Sequence, residues 1–103
     1  MPGGNGPYFR VIYAGTARSA LQRLAEKAKQ LQLGPQFVLA VKTIDRRLRS
    51  DPLMFGEPLY NLKSANLQVR ICNEKFLFVR FAVDKQRRLI YVADCIGSPS
   101  LGF

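Results

Sequence analysis

The chain has 103 residues, sixteen Lys and Arg against seven Asp and Glu, no His, and a formal net charge of +9. That length makes one domain, large enough to bury a core without staples, and two Cys with no His supply no ligand set for a metal. The cation excess, ten of the sixteen being Arg, points to nucleic acid, the ribosome or an acidic protein as partner; the bland alternative is a basic surface with no polyanion to meet.

Residues 1–7, Met-Pro-Gly-Gly-Asn-Gly-Pro, read as a flexible leader. They lack the basic and apolar regions of a signal peptide, and no run reaches the ~18 apolar residues of a membrane span, so a cytoplasmic protein without membrane contact is expected. Tyr8 to Ala14 is predicted as a strand with Phe9, Val11 and Tyr13 on one face. Thr16 is the expected cap of a helix whose apolar face is Ala17, Ala20, Leu21, Leu24, Ala28 and Leu31. Leu33-Gly34-Pro35 stops it, Gly34 taking the C-terminal position. Pro35 then opens a second helix with the stripe Phe37, Val41, Ile44 and Leu48, which ends ahead of Asp51-Pro52. Lys42, Arg46 and Arg49 share another of its faces, and Arg47 adds to the charge.

Residues 51–66 show no period and contain two Pro and one Gly, so a long loop is predicted, pinned by Leu53, Phe55, Leu59 and Leu62. Three strand runs follow, within Leu67 to Ile96, broken at Cys72 to Lys75 and at Asp84 to Arg88. In the first, Leu67, Val69 and Ile71 make the expected buried face, and Gln68, Arg70 and Cys72 the more polar one. Cys72 and Cys95 lie inside strand runs and read as buried free thiols, an inter-strand disulfide being the less favoured alternative. Residues 98–103 read as a loose tail. The predicted order is β-α-α-β-β-β: an α+β domain over residues 8–97, a helical hairpin packed on a mainly antiparallel four-stranded sheet.

That order in a small basic chain, with the run Leu48-Arg49-Ser50-Asp51-Pro52-Leu53-Met54-Phe55-Gly56-Glu57-Pro58-Leu59, then Leu62 and a strand carrying a basic residue, resembles the RelE/ParE superfamily of bacterial toxin–antitoxin systems. The resemblance covers roughly residues 8–97. It implies a toxin kept inactive by an acidic antitoxin protein. In the RelE branch the activity is metal-independent cleavage of ribosome-bound mRNA, with cations neutralising the charge that develops as the 2′-hydroxyl attacks. In the ParE branch it is poisoning of DNA gyrase without cutting. Neither implies a cofactor. On the RelE reading Arg70 falls at the family's basic strand position and Arg80 is the second candidate catalytic cation. The resemblance implies that Gln68, either Phe76-Leu77 or Leu77-Phe78, and the stretch Ile96-Gly97-Ser98-Pro99-Ser100 stand where the ribonucleases have further catalytic groups.

The residues alone leave alternatives open. Arg70 also reads as a solvated strand residue, and Arg80 as the partner of Asp94. Lys42, Arg46, Arg47, Arg49, Lys63, Arg87 and Arg88 form the expected nucleic-acid-binding set; a solvated charged surface is the competing reading. A catalytically silent module that binds a protein, the ribosome or nucleic acid is the alternative to RelE-type cleavage.

Overall fold

Alternating β-branched and aromatic residues lay down most of the sheet, and two amphipathic segments supply the layer that covers it. The computed structural model describes residues 8–103; the leader expected over residues 1–7 lies outside the described residues. The elements are β1 (Arg10–Tyr13), α1 (Gly15–Gln30), α2 (Gly34–Ser50), β2 (Glu57–Leu62), β3 (Leu67–Glu74), β4 (Leu77–Asp84) and β5 (Leu89–Gly97). No helix among the described residues is long and apolar enough to cross a membrane.

The α+β class and the helical pair match expectation, but the sheet does not. It has five strands in the order β1-β5-β4-β3-β2, with β1 parallel to β5 and every other pair antiparallel. The additional strand, β2, comes from the segment expected to be loop. Its register shifts between Pro58 and Tyr60, so Leu59 sits in a bulge that breaks the alternation a strand reading depends on. All six of its residues are exposed, so it shows no buried stripe, and Pro58 is tolerated because β2 is an edge.

The helices cover the face formed by Leu77, Val79, Phe81 and Val83 of β4 and by Ile90, Val92 and Cys95 of β5. Small residues set their distance from the sheet: Ala17, Ala20 and Ala28 of α1 and Ala40 of α2 are buried. Ala40 therefore lies deeper than Val41, which was expected in the stripe but lies half-exposed at the helix margin. Two chain-direction signals also work differently from expectation. Thr16 does not cap α1; its Oγ1 donates 3.1 Å to the carbonyl of Ala93, the bulge residue of β5. The left-handed residue after α1 is Gln32 (φ 61°), not Gly34, which instead opens α2 ahead of Pro35.

Register across β3 reverses its expected faces. Gln68, Arg70 and Cys72 pair with Val83, Phe81 and Val79, which places them on the helix side of the sheet. The helix layer stops short here, and residues 51–56 cover the margin with backbone carbonyls that a polar side chain can satisfy. Residues 98–103, read as a loose tail, form a 3-10 turn at Pro99–Leu101, and Phe103 stacks on Phe76 with ring centroids 5.1 Å apart.

Cys72 and Cys95 both pair with Val79, from opposite sides of β4. Two strand spacings of about 4.8 Å separate them, beyond disulfide reach. Burial pushes the Cys72 thiol up to about 12 and the Cys95 thiol up to about 11. In the folded protein both are expected to react with a thiol reagent at pH 8 at least ~100-fold more slowly than in denaturant. Equal rates in the two conditions would show that the β3–β4–β5 core is open.

Candidate polyanion-binding site

The two candidate catalytic cations occupy opposite faces of the sheet. Arg70 pairs with Phe81 on the helix side, and Arg80 pairs with Ile71 and Asp94 on the other. Both are also engaged. The Arg70 side chain is buried, the residue being only 6% exposed. Its Nε donates 3.4 Å to the Phe55 carbonyl, its Nη2 3.0 Å to the Gly56 carbonyl and its Nη1 2.9 Å to Gln68 Oε1. Arg80 Nη2 donates 2.9 Å to Asp94 Oδ2, the pairing that the sequence offered as its structural role. Cations that stabilise a phosphoryl transition state must converge on it. Arg70 and Arg80 cannot do so together.

Arg70 is a pin that ties residues 55 and 56 to β3. Arg70→Ala leaves the two carbonyls without their donor, and the expected loss is about 2–3 kcal/mol of unfolding free energy, read from urea denaturation. An unchanged denaturation midpoint would refute the pin.

Three other members of the expected binding set are held in local contacts. Arg47 pairs with Asp51 at 3.1 Å and lies over the Phe55 ring at 4.5 Å. Arg87 closes the β4–β5 turn on Asp84, with its Nη1 at 3.0 Å and its backbone N–H at 3.1 Å from the carboxylate. Arg88 donates 3.2 Å to the Tyr8 carbonyl and covers the Phe9 ring at 4.5 Å. These contacts explain the cations without any ligand.

Lys42, Arg46 and Arg49 do come together. They form one wall of an open groove of about 790 Å³ between the helices, and Arg18 and Gln22 of α1 face them. Leu21 and Val41 make its floor with Tyr13. The groove forms where it does because the i, i+3, i+4 spacing that buries Ile44 and Leu48 leaves Lys42, Arg46 and Arg49 on the margin beside α1. Arg18 is the member that sequence reasoning missed. Its signal was faint: a cation four residues before Gln22 and three before Leu21, at the edge of the α1 apolar face.

One acid enters the groove. Asp45 Oδ1 accepts from Tyr13 Oη at 2.7 Å, and Arg49 donates Nε to Oδ2 at 2.7 Å and Nη2 to Oδ1 at 3.3 Å. Burial alone would raise the Asp45 carboxyl, but hydrogen bonds from Arg49 and Tyr13 and the Arg49 charge together hold it below its ordinary value. Burial, with the Asp45 hydrogen bond, drives the Tyr13 hydroxyl well above its usual range, so it stays a donor. A depressed carboxyl stabilises the fold above its unfolded value near 4, and that contribution disappears as pH falls through the folded value. Asp45→Asn is therefore expected to melt below wild type at pH 7 and to converge with it near pH 2. A gap that persists in acid would show that charge is not what Asp45 contributes.

No ion pair among the described residues involves Arg18, Lys42 or Arg46. The groove thus presents three uncommitted cations over an apolar floor, a surface suited to phosphates carried on a stacking or apolar body. Lys63 lines a different concavity, of about 440 Å³, at the β2–β3 corner. No family model, curated protein or solved structure matches this chain.

Proposed function

We propose that this chain is a toxin-like domain of the RelE/ParE kind that acts by gripping RNA phosphates in the α1–α2 groove, and that it does not cut RNA. The observation that carries this reading is the sorting of its cations. Arg70 and Arg80 sit on opposite faces, Arg70 held by loop carbonyls and Arg80 paired with Asp94, while Arg18, Lys42 and Arg46 surround one groove and have no ion pair among the described residues. The run Leu48 to Leu59 and the strand–helix–helix–strand order support the kinship. An acidic antitoxin protein is the expected neutralising partner, since the groove that takes phosphates also takes carboxylates.

Induced expression tests the reading. Growth should slow while ribosome-bound mRNA stays intact in primer extension, and Arg46→Glu should relieve the arrest. Cleavage within ribosome-bound mRNA would restore the RelE-type ribonuclease in its place. Inhibition of gyrase supercoiling by purified protein, with no RNA binding, would favour the ParE-type target.

A further inference from the structure

The β2–β3 corner holds a second built concavity, lined by groups that the groove does not use. Its shape comes from two turns. A 3-10 turn at Lys63–Ala65 ends at Asn66 in the left-handed conformation (φ 55°), and the β4–β5 turn carries Lys85 and Gln86. Together they place Lys63 and Lys85 on one concavity, and neither lysine has an ion pair among the described residues. Strand register supplies the rest. Asn61 pairs with Gln68 and Gln68 with Val83, so two amides and an apolar side chain stand in a row across β2, β3 and β4. Leu62 and Leu67, the next pair along the ladder, form its apolar rim.

Gln68 is oriented. Its Oε1 accepts from Arg70 Nη1 at 2.9 Å. A guanidinium only donates, so the oxygen must be the end that meets Arg70, and the amide NH₂ is left as a donor for the concavity. Arg70 is itself held by the Phe55 and Gly56 carbonyls, which makes the donor direction a property of the fold.

We infer that this concavity holds one unpaired nucleotide. Its phosphate lies between Lys63 and Lys85, its base lies against the rim at Leu62 and Leu67, and its base edge meets Asn61 and the Gln68 amide, with Arg70 as a positioning residue. A volume of about 440 Å³ suits a nucleoside monophosphate. Cations, an apolar rim and an oriented amide suit recognition of a splayed-out base. A phosphate alone would leave the amides unused, and an apolar ligand would leave the lysines unused. The site is separate from the α1–α2 groove and stands or falls independently of it.

The test titrates full-length protein with the four ribonucleoside 5′-monophosphates and, separately, with a short single-stranded RNA. Lys63→Ala with Lys85→Ala should weaken binding by about 10-fold or more for every base, because phosphate contacts carry no sequence information. Gln68→Glu keeps the Arg70 contact and replaces a donor with an acceptor, so it should change the order of preference among bases. Arg70→Lys should blur that preference while leaving the lysine-dependent affinity, which a purely structural Arg70 would not do. Monophosphate binding identifies a free nucleotide as a sufficient ligand. Binding of the oligonucleotide alone, still sensitive to Lys63 and Lys85, identifies a nucleotide within a strand. The inference is overturned if neither probe binds in a Lys63- and Lys85-dependent way. Loss through Arg46→Glu but not through the two lysine changes would leave the groove as the sole nucleic-acid site and remove this one.

Discussion

Gly56→Ala is expected to lower the unfolding free energy by about 4 kcal/mol, the largest effect of a Gly-to-Ala change among the described residues. Gly56 has φ +79°, a conformation L side chains rarely adopt. A Cβ there would overlap the Ile71 carbonyl and stand 2.9 Å from the Cys72 Cα. Both belong to β3, which is hydrogen-bonded to β2 on one side and β4 on the other, so neither can retreat without breaking a ladder. Displacing the loop instead removes the Gly56 carbonyl from Arg70 and pulls Phe55 from its stacked contact with Phe81 at 6.4 Å. Arg47, which lies over Phe55, loses that contact as well. Gly34→Ala is the control. An added Cβ there meets nothing within 4 Å, and the position is helical, so stability should hold or rise slightly. If denaturation midpoints of the two variants coincide, residues 51–56 do not lie against β3.

The same corner shows where the sequence stops being readable. Helices of sixteen and seventeen residues and strands of eight or nine carry enough periods to identify themselves. β2 does not, because six residues with a bulge in the middle and no buried side give no alternation to find. Turn chemistry was misleading for a related reason. Among the described residues the non-glycine residues with positive φ are Gln32, Asn66, Lys75 and Arg88, and of these only Asn66 is of a type that advertises the conformation. Arg70 illustrates a deeper limit. A cation in a strand looks the same in sequence whether its partner is a phosphate, a carboxylate or the carbonyls of a loop. Which face it takes depends on where the helix layer ends, a tertiary fact. Arg80 was more legible, because Asp94 lies in the neighbouring antiparallel strand, within one bulge residue of the register that the short break from Asp84 to Arg88 sets. The groove was legible by half: three-and-four spacing grouped Lys42, Arg46 and Arg49, whereas Arg18 joins them only once two helices pack.

Lys42→Glu combined with Arg46→Glu is expected to weaken binding of single-stranded RNA by about 100-fold at ~0.1 M salt, with little change in folding. Both side chains lie on the groove wall, and neither takes part in an ion pair among the described residues, so their replacement breaks no internal contact of that kind. The reason for the size of the loss is counterion release. Each phosphate that a cation neutralises on a single strand contributes ~0.7 to the slope of log affinity against log salt. Removing two contacts should flatten that slope by about 1.4, and the introduced carboxylates add repulsion beside Asp45. Five of the seven acids already pair with cations on the chain, so no spare carboxylate cluster moderates the field at the groove. The decisive comparison is Lys27→Glu with Lys29→Glu, which changes net charge by the same amount on the last turn of α1. If binding followed net charge alone, the two pairs would weaken it equally. A groove that grips phosphates gives a loss at least tenfold larger for the Lys42 and Arg46 pair, because only there do cations from two helices close on the same strand.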